Sequence, residues 1–304
     1  MDDIKAVGRP LLLIKCMEKK YIEQMYKKGI MRMSCPGKWI LGEKKGDIGR
    51  GDKYEGTFAI DRTKDSLKRL KRKYKNNLIV NDEADHVYYQ LHTVIGCPTY
   101  CFYVVEDADL LNNCSVPDEN GLCDVEVFIS GKFFEDFSNA KGLTEDQIKK
   151  LPEEERPALL IISNENIYTF FYKAKETLKK KLHIADANIL IDKVNYAYNR
   201  YDSEFECPKI HPYELFYKNE ELSYQKEARL VVYERKHKLK KYETDYLDIQ
   251  IGSMESYSEI HESYTSDGMV LKLKVKASKV GEMLKRDGKI LTGYDGKELE
   301  IEKE

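Results

Sequence analysis

The residues of this sequence best suited to chemistry lie in the segment 223–232. An amide, a carboxylate and a guanidinium occupy alternate positions there, as Gln225, Glu227 and Arg229. Because successive side chains of a β-strand point to opposite faces, this spacing predicts one shared face where a strand over 228–233 begins. A fixed carboxylate at such a place can stabilise positive charge that develops in a transition state. The simpler interpretation is a structural ion pair between Glu227 and Arg229.

A basic helix predicted over residues 65–76 is a second candidate, this time for binding nucleic acid. Leu67, Leu70 and Tyr74 supply its thin apolar stripe. The cations that would hold a phosphate backbone are Lys68, Arg69, Lys71, Arg72 and Lys75. The chain has a net charge of −2, from 51 basic and 53 acidic residues, and acids follow the helix at 82–85. That balance favours a solvated helix face over a nucleic-acid surface.

Sequence signatures of several common sites are missing. The chain has no Gly-rich dinucleotide turn, P-loop, paired-His zinc helix or Gly-x-Ser-x-Gly elbow. Its seven cysteines are an odd number at spacings that fit neither a disulfide framework nor a zinc site, so we expect free thiols and no bound metal.

Composition indicates one globular unit. The 304 residues are 41% hydrophobic and 34% charged, which is typical of a folded domain and too polar for a membrane protein. The apolar run at 11–14 is shorter than a signal sequence requires, so we expect a cytoplasmic protein without membrane contact. No low-complexity linker interrupts the chain, and we predict a single domain over 1–304.

Hydrophobic periodicity predicts about eight strands and five or six helices in an irregular order. This pattern is typical of an α+β fold, with a mixed, largely antiparallel sheet and packed helices. The predicted strands span 11–15, 30–34, 99–105, 124–130, 158–163, 188–197, 228–233, 246–251 and 269–276. The predicted helices span 18–28, 65–76, 167–182 with Asn164 or Asn166 as its cap, 211–222, and a short one capped by Thr144. Residues 35–56, rich in glycine, are expected to form a long loop.

Two segments resemble a family of uncharacterised bacterial proteins found in mobile elements and near defence genes. The first comprises residues 31–36 with the later 50–56, and the second comprises residues 224–232. With the strand at 100–104 between them, the resemblance covers most of the chain in order, although its specific motifs span only some twenty residues. That family is in turn similar, more loosely, to the ADP-ribosyltransferase fold, particularly to toxins that modify DNA bases.

The resemblance implies an NAD site made from three strands. Arg32, Thr99 or Tyr100, and Gln225 with Glu227 stand in the order that such enzymes use. Arg32, or its competitor Arg50, would grip the phosphates, Glu227 would stabilise the cationic sugar, and Gln225 would orient the nucleophile. An aromatic wall for nicotinamide would come from Tyr54, Tyr100 or Tyr103. The sequence departs from the transferases in lacking a clear Ser-Thr-Ser triplet, and residues 52–55 have no counterpart there.

We therefore predict an NAD-dependent ADP-ribosyltransferase or NAD hydrolase in bacterial or phage conflict, with a nucleic acid or a protein as acceptor. One alternative is a non-catalytic sensor or binding module of the same fold, in which Glu227 and Arg229 form a structural pair. Another is a nucleic-acid-binding protein that uses the basic helix. The enzyme hypothesis requires a cleft shared by Glu227 and either Arg32 or Arg50, and without such a cleft it loses most of its support.

Overall fold

A computed structural model describes residues 10–46, 52–106, 109, 115–137, 142–198, 204–209, 211–234, 246–262 and 268–276, so Arg50 and Cys114 lie outside it. The strands are β1 Pro10–Glu18, β2 Ile30–Met33, β3 Ala59–Asp61, β4 Leu78–Asp82, β5 Val87–Leu91, β6 Thr99–Glu106, β7 Leu122–Ser130, β8 Pro157–Ser163, β9 Ile189–Lys193, β10 Asn195–Tyr198, β11 Phe205–Glu206, β12 Tyr217–Asn219, β13 Glu227–Val232, β14 Leu247–Gln250, β15 Glu259–His261 and β16 Gly268–Lys276. The helices are α1 Lys19–Lys28, α2 Pro36–Lys44, α3 Leu67–Tyr74, α4 His92–Ile95, α5 Gly131–Phe137, α6 Glu145–Lys150 and α7 Asn164–Leu182.

The central sheet has six strands in the order β15-β8-β1-β6-β13-β9, and every neighbouring pair is antiparallel. A second, four-stranded antiparallel sheet, β11-β3-β5-β4, shares a hydrophobic cluster with Val231 of the central sheet, and three strand pairs complete the described fold. Among the described residues, β10 with β12 is the one parallel pairing. The predicted α+β class with a largely antiparallel sheet is confirmed.

Strand β13 carries apolar side chains on one face and charges on the other. Ala228, Leu230 and Val232 are fully buried in the core that also includes α7. Glu227 and Arg229 point to the opposite face, as the alternation of strand side chains predicts. The charged pair is therefore held by a strand whose other side is anchored in the hydrophobic core.

Strand β2 comes beside the central sheet at the start of β6. Its continuation at Ser34 bridges to Thr99, with the Ser34 N–H donating to the Thr99 carbonyl at 3.1 Å and the Thr99 N–H donating back at 2.6 Å. The predicted strand is confirmed, and its side chains alternate between the two faces, since Met31 and Met33 are buried while Arg32 is exposed. The bridge brings the early strand close to β13, because β13 pairs directly with β6.

The long loop predicted over 35–56 is wrong for most of its described length, because helix α2 occupies Pro36–Lys44. Proline is well tolerated in the first turn of a helix, where its missing N–H has no partner to lose. Burial of Ile40 and the close packing of Gly37, where an added Cβ would lie 3.4 Å from the Ile95 carbonyl oxygen, outweigh the low helix propensity of two glycines. Within the described part of this segment, the turns at 45–46 and 53–56 keep the predicted irregular character.

The helix predicted over 211–222 is also wrong. This segment contains a 3-10 turn at Tyr213–Phe216, strand β12 and a second 3-10 turn at Glu220–Gln225. Pairing of β12 with β10 satisfies its backbone in place of helical hydrogen bonds, and the Asn219 side chain accepts from the Glu221 N–H to start the second turn. The strand predicted over 188–197 divides at Val194 into β9 and β10, which pair with different partners.

Several smaller predictions are also decided by the fold. Helix α1 ends at Gly29 in the left-handed conformation, and Thr144 caps the short helix α6 as predicted, in a capping box with Gln147. Helix α7 starts at Asn164 with Ser163 as its cap, so neither predicted asparagine is the cap residue. The six described cysteines are free thiols. Every helix in the described ranges is too short or too polar to cross a bilayer.

Candidate functional site

Four buried charges meet at the start of β13 and alternate in sign. They are Glu55, Lys218, Glu227 and Arg229, each at most 4% exposed. The Arg229 guanidinium donates to both carboxylate oxygens of Glu55, at 2.8 and 2.7 Å, and its Nε donates to Glu227 Oε2 at 2.8 Å. Lys218 Nζ donates to Glu227 Oε1 at 2.8 Å and lies 3.3 Å from Glu55 Oε1. We call these four residues the charge network.

Three local structures hold the four members of the charge network, since Glu227 and Arg229 share β13. Glu55 belongs to the turn at 53–56, whose carbonyls at Lys53 and Glu55 accept from the Gln90 amide at 2.9 and 2.8 Å. Lys218 lies in the middle of β12. Glu227 is the first residue of β13, and its N–H donates to the Tyr196 hydroxyl at 3.0 Å. Chain segments far apart in sequence therefore fix the network.

Gln225 contacts the charge network through Lys218 and lies just before strand β13, not on it. Lys226 adopts a left-handed conformation with φ 39°, and β13 starts after it. The predicted shared strand face of Gln225 and Glu227 is therefore wrong, although the two side chains still converge. Gln225 is fully buried, accepts from Lys218 Nζ at 2.7 Å and donates to Asp136 Oδ2 at 2.8 Å.

The network fixes the charge of Glu227. Burial alone would raise the pKa of its carboxyl, but attraction to Arg229 and then to Lys218 outweighs burial and lowers the pKa to about 2. Burial likewise opposes the charge on Lys218, but Glu227 and Glu55 keep its pKa above the usual value. Glu227 is therefore a carboxylate and Lys218 an ammonium at neutral pH.

Asp52 is a buried acid outside the charge network, and its pKa shifts in the direction opposite to that of Glu227. Asp52 is 5% exposed, and burial followed by repulsion from Glu55 raises its pKa to about 6. Its Oδ1 accepts from the Tyr54 N–H at 2.9 Å, while no described residue bonds its Oδ2. Asp52 is thus a destabilised carboxylate at neutral pH.

The charge network borders an open cavity of about 380 Å³, a size within the range of roughly 300–1,000 Å³ found for small-molecule sites. Its lining joins the early, middle and late strands of the prediction: Arg32, Thr99, Tyr100, Glu227 and Arg229 all contribute to the wall. Three residues that sequence reasoning did not select, Lys15, Lys38 and Trp39, complete the cationic and aromatic surface. Arg32 and Glu227 thus line the same cavity, as the enzyme hypothesis requires.

Arg32 lies at the exposed rim of this cavity. Its side chain is 59% exposed and forms a bidentate pair with Asp248 of β14, with both N–O distances 2.9 Å. The Arg32 guanidinium also lies 5.2 Å from the ring centroid of Tyr246. Arg50, its competitor in the prediction, is outside the described residues.

The aromatic wall differs from the predicted one in two of three members. Tyr100 lines the cavity, whereas Tyr54 and Tyr103 are absent from its described lining. Tyr54 packs against Tyr88 with ring centroids 4.6 Å apart, and Tyr103 packs against Phe133 at 4.7 Å. Trp39 takes the place beside the charges, with its ring centroid 5.4 Å from the Arg229 guanidinium carbon.

The basic helix α3 contributes no residue to the described lining of the cavity. Its apolar stripe is confirmed, because Leu67, Leu70 and Tyr74 pack in the core of the smaller sheet. The predicted phosphate-binding cations Lys68, Arg69, Lys71, Arg72 and Lys75 are all exposed. Arg69 forms a salt bridge with Glu206 at 3.3 Å. No cluster of His, Cys, Asp and Glu that could hold a metal occurs among the residues described.

Comparison of this chain with protein-family models, with curated proteins and with solved structures gives no match.

Proposed function

We propose that this protein cleaves NAD in the cavity beside Glu227, either transferring ADP-ribose to an acceptor or hydrolysing the dinucleotide. The supporting observation is that Arg32 of β2 and Glu227 of β13 line one open cavity, with Thr99 and Tyr100 of β6 between them. This is the order of strands that the resemblance to ADP-ribosyltransferases implies. A role in bacterial or phage conflict, with a nucleic acid or a protein as acceptor, belongs to the same proposal.

The proposed chemistry uses a fixed negative charge. Breaking the bond between ribose C1′ and the nicotinamide nitrogen sends the bonding electron pair to nicotinamide and leaves positive charge on the sugar. A carboxylate that accepts a hydrogen bond from a ribose hydroxyl stabilises that charge more strongly in the transition state than in the substrate. Water or an acceptor then bonds C1′ and loses a proton, so hydrolysis yields ADP-ribose, nicotinamide and one proton.

Glu227 fits this role because Lys218 and Arg229 keep it ionised. Gln225 was predicted to orient the nucleophile, but it is fully buried behind Lys218. In the proposal it becomes a positioning residue, which holds Lys218 and thereby Glu227. Trp39 and Tyr100 provide aromatic surface for the nicotinamide or adenine ring.

The direct test is release of nicotinamide from NAD labelled in the nicotinamide ring, with and without cell lysate as a source of acceptors. We expect release by the wild-type protein and a fall of at least about 100-fold for Glu227→Gln, a typical loss when one group that stabilises transition-state charge is removed. Glu23→Gln, which changes a partly exposed acid of α1, is the matched control and should retain full activity.

Folding must be checked together with activity, because Glu227→Gln also disturbs the charge network. Far-UV circular dichroism and a thermal melt show whether the variant is folded at the assay temperature. Absence of nicotinamide release by folded wild-type protein, or equal release by folded Glu227→Gln, would contradict the proposal.

A second candidate is a binding module that recognises a nucleotide without cleaving it. The observation in its favour is that both oxygens of the Glu227 carboxylate already accept hydrogen bonds, from Lys218 and from Arg229. Such a module would bind NAD and its analogue with a non-cleavable nicotinamide bond equally well. Isothermal titration with both ligands, followed by chromatography of the recovered NAD, separates this candidate from the enzyme.

A further inference from the structure

A second cavity, of about 780 Å³, is lined on one side by strands of the central sheet and on the other by β16. Its apolar lining includes Leu12 of β1, Ile161 of β8, and Met269 and Leu271 of β16, all of which belong to the hydrophobic cluster between this sheet and the β7–β16 pair. The cavity is therefore the open mouth of that cluster. Its described lining has no residue in common with that of the cavity beside Glu227, and we call it the sheet-edge groove.

One wall of the sheet-edge groove is the outer edge of β16. The five residues at 269–273 all line it, whereas no residue of β7 does. Because successive side chains of a strand point to opposite faces, a wall made of consecutive residues includes the backbone of the strand. In the described part of the chain, β16 pairs with β7 alone. Along its other edge, alternate residues direct N–H and C=O groups toward the groove over about 13 Å.

Three exposed carboxylates, Glu165, Glu255 and Glu259, line the groove and form what we call the acidic rim. Serine hydroxyls donate to Glu165 at 3.4 Å and to Glu255 at 2.9 Å, and Glu259 lies 3.4 Å from His261 Nε2. Within the described ranges, no lysine or arginine contacts any of the three. The acidic rim therefore keeps most of its negative charge.

The cation in the groove does not change this balance. Lys272 is the one lysine or arginine of the described lining, and its Nζ lies 3.3 Å from Glu126 Oε1, so that the pair has no net charge. The groove thus combines an apolar floor, an open strand edge and an excess of negative charge. Such a field attracts a positively charged partner.

We infer that the sheet-edge groove binds an extended peptide segment of a partner protein, in which apolar residues alternate with lysine or arginine. The segment pairs its backbone with the outer edge of β16, because an open strand edge is a template for a further strand. Its apolar side chains face Leu12 and Ile161, and its basic side chains reach the acidic rim. The inference is independent of the proposed function, since it concerns a different cavity.

Fluorescence anisotropy tests this inference with a fluorescein-labelled peptide in which lysine and valine alternate over about seven residues, enough to span the edge. Wild-type protein should bind it saturably. Two control peptides each remove one contribution. Serine in place of valine removes the apolar contacts, and methylation of every amide nitrogen removes the main-chain donors while keeping the side chains. Both should bind at least about tenfold more weakly.

Variants of the acidic rim test the charge complementarity. Glu165→Gln, Glu255→Gln and Glu259→Gln should each raise the Kd for the lysine–valine peptide about twofold, because a single exposed ion pair is weak. The triple variant should raise it about tenfold. All three side chains are exposed, so the variants should fold, which far-UV circular dichroism verifies.

The matched control is a second triple variant with Glu119→Gln, Glu154→Gln and Glu204→Gln. It removes three exposed carboxylates outside the described lining of the groove and should keep the wild-type Kd. Both triple variants have the same net charge. A difference between them therefore reports on the groove and not on the overall attraction of an acidic protein for a basic peptide.

Four results would overturn the inference. They are the absence of saturable binding at millimolar protein, an equal Kd for the lysine–valine peptide and its N-methylated form, an equal Kd for the two triple variants, and occupation of the groove by a second copy of this chain. The last would appear in light scattering as a wild-type dimer that becomes a monomer in the acidic-rim triple variant.

Discussion

The substitution Glu227→Gln tests the physical basis of the site, because it removes one charge from the network and keeps the shape of the side chain. Glutamine resembles the protonated acid. The shift in the pKa of Glu227 on folding therefore gives the loss of stability expected from the substitution. A carboxyl whose pKa falls from 4.5 to about 2 on folding contributes about 3 kcal/mol at neutral pH, at about 1.4 kcal/mol for each tenfold change in the ionisation constant. This agrees with the roughly 3–5 kcal/mol lost when one partner of a buried ion pair is removed.

The pH dependence of this loss has a definite sign. The pKa of Glu227 is lowered on folding, so its stabilising contribution is fully present above about pH 4.5 and disappears as the pH falls toward 2. Urea unfolding followed by circular dichroism should therefore show Glu227→Gln about 3 kcal/mol less stable than wild type at pH 7.5. The difference should shrink steadily below pH 4.5.

A compensating substitution completes the experiment. Lys218→Met removes the cation that contacts Glu227 Oε1 while keeping an unbranched side chain of similar length. The double variant combines Glu227→Gln with Lys218→Met. If the network is a charge-balanced unit, the free energy of unfolding of this variant should exceed the value expected from adding the two single losses by about 1–3 kcal/mol. Equal stability of Glu227→Gln and wild type at pH 7.5, or strict additivity in the double variant, would refute the electrostatic account.

Three further predictions concern other parts of the molecule. Asp52→Asn should stabilise the protein above pH 6 by up to about 3 kcal/mol, with the gain vanishing toward pH 3.8, because burial raises the pKa of Asp52 from 3.8 to about 6; urea unfolding across this pH range measures it. Gly29→Ala should cost at least about 2 kcal/mol in the same assay, since its φ is +65° and an added Cβ would lie 2.0 Å from the Gly252 carbonyl oxygen. Gly121→Ala, with φ +69° and no atom within 4 Å, is the control that carries the backbone cost alone. Neutralising the exposed cations of α3 should not change the mobility of a DNA duplex at about 0.15 M salt, whereas a wild-type complex that persists at this salt and is lost in the variant would support a nucleic-acid role.

Local sequence patterns predict the elements around the site well. Alternation along β2 and β13 correctly gives the exposed face of Arg32 and the shared face of Glu227 and Arg229. Helical periodicity followed by a glycine correctly predicts α1 and its end, because Gly29 adopts the left-handed conformation that terminates the helix. These features depend on residues within one element, so a single segment of sequence contains the information.

The partners of Glu227 could not be predicted in the same way. Lys218 falls in a segment predicted to be helical, and its side chain reaches the network because β12 pairs with β10. Glu55 is brought in by a turn that Gln90 holds from 35 residues away in sequence. Neither contact has a local signal, since lysines and glutamates are common and only tertiary structure decides which of them are buried. Trp39 was overlooked because glycines on both sides of it suggested a loop.

Folding alone does not require a charge network at this position, which favours a role in binding a ligand. Buried ion pairs can often be replaced by apolar side chains of similar volume without loss of stability. The neighbouring residues on the other face of β13, Ala228 and Leu230, show that this part of the sheet already packs an apolar core. Asp52 adds a carboxylate whose burial is unfavourable at neutral pH. Fixed charges that border an open cavity can stabilise charge on a bound molecule without reorganising. Such a function would offset the free energy that burying these charges costs on folding. Under the proposed function, a ligand that contacts Glu227 accounts for both the charges and the opening beside them, whereas a purely structural network does not account for the opening.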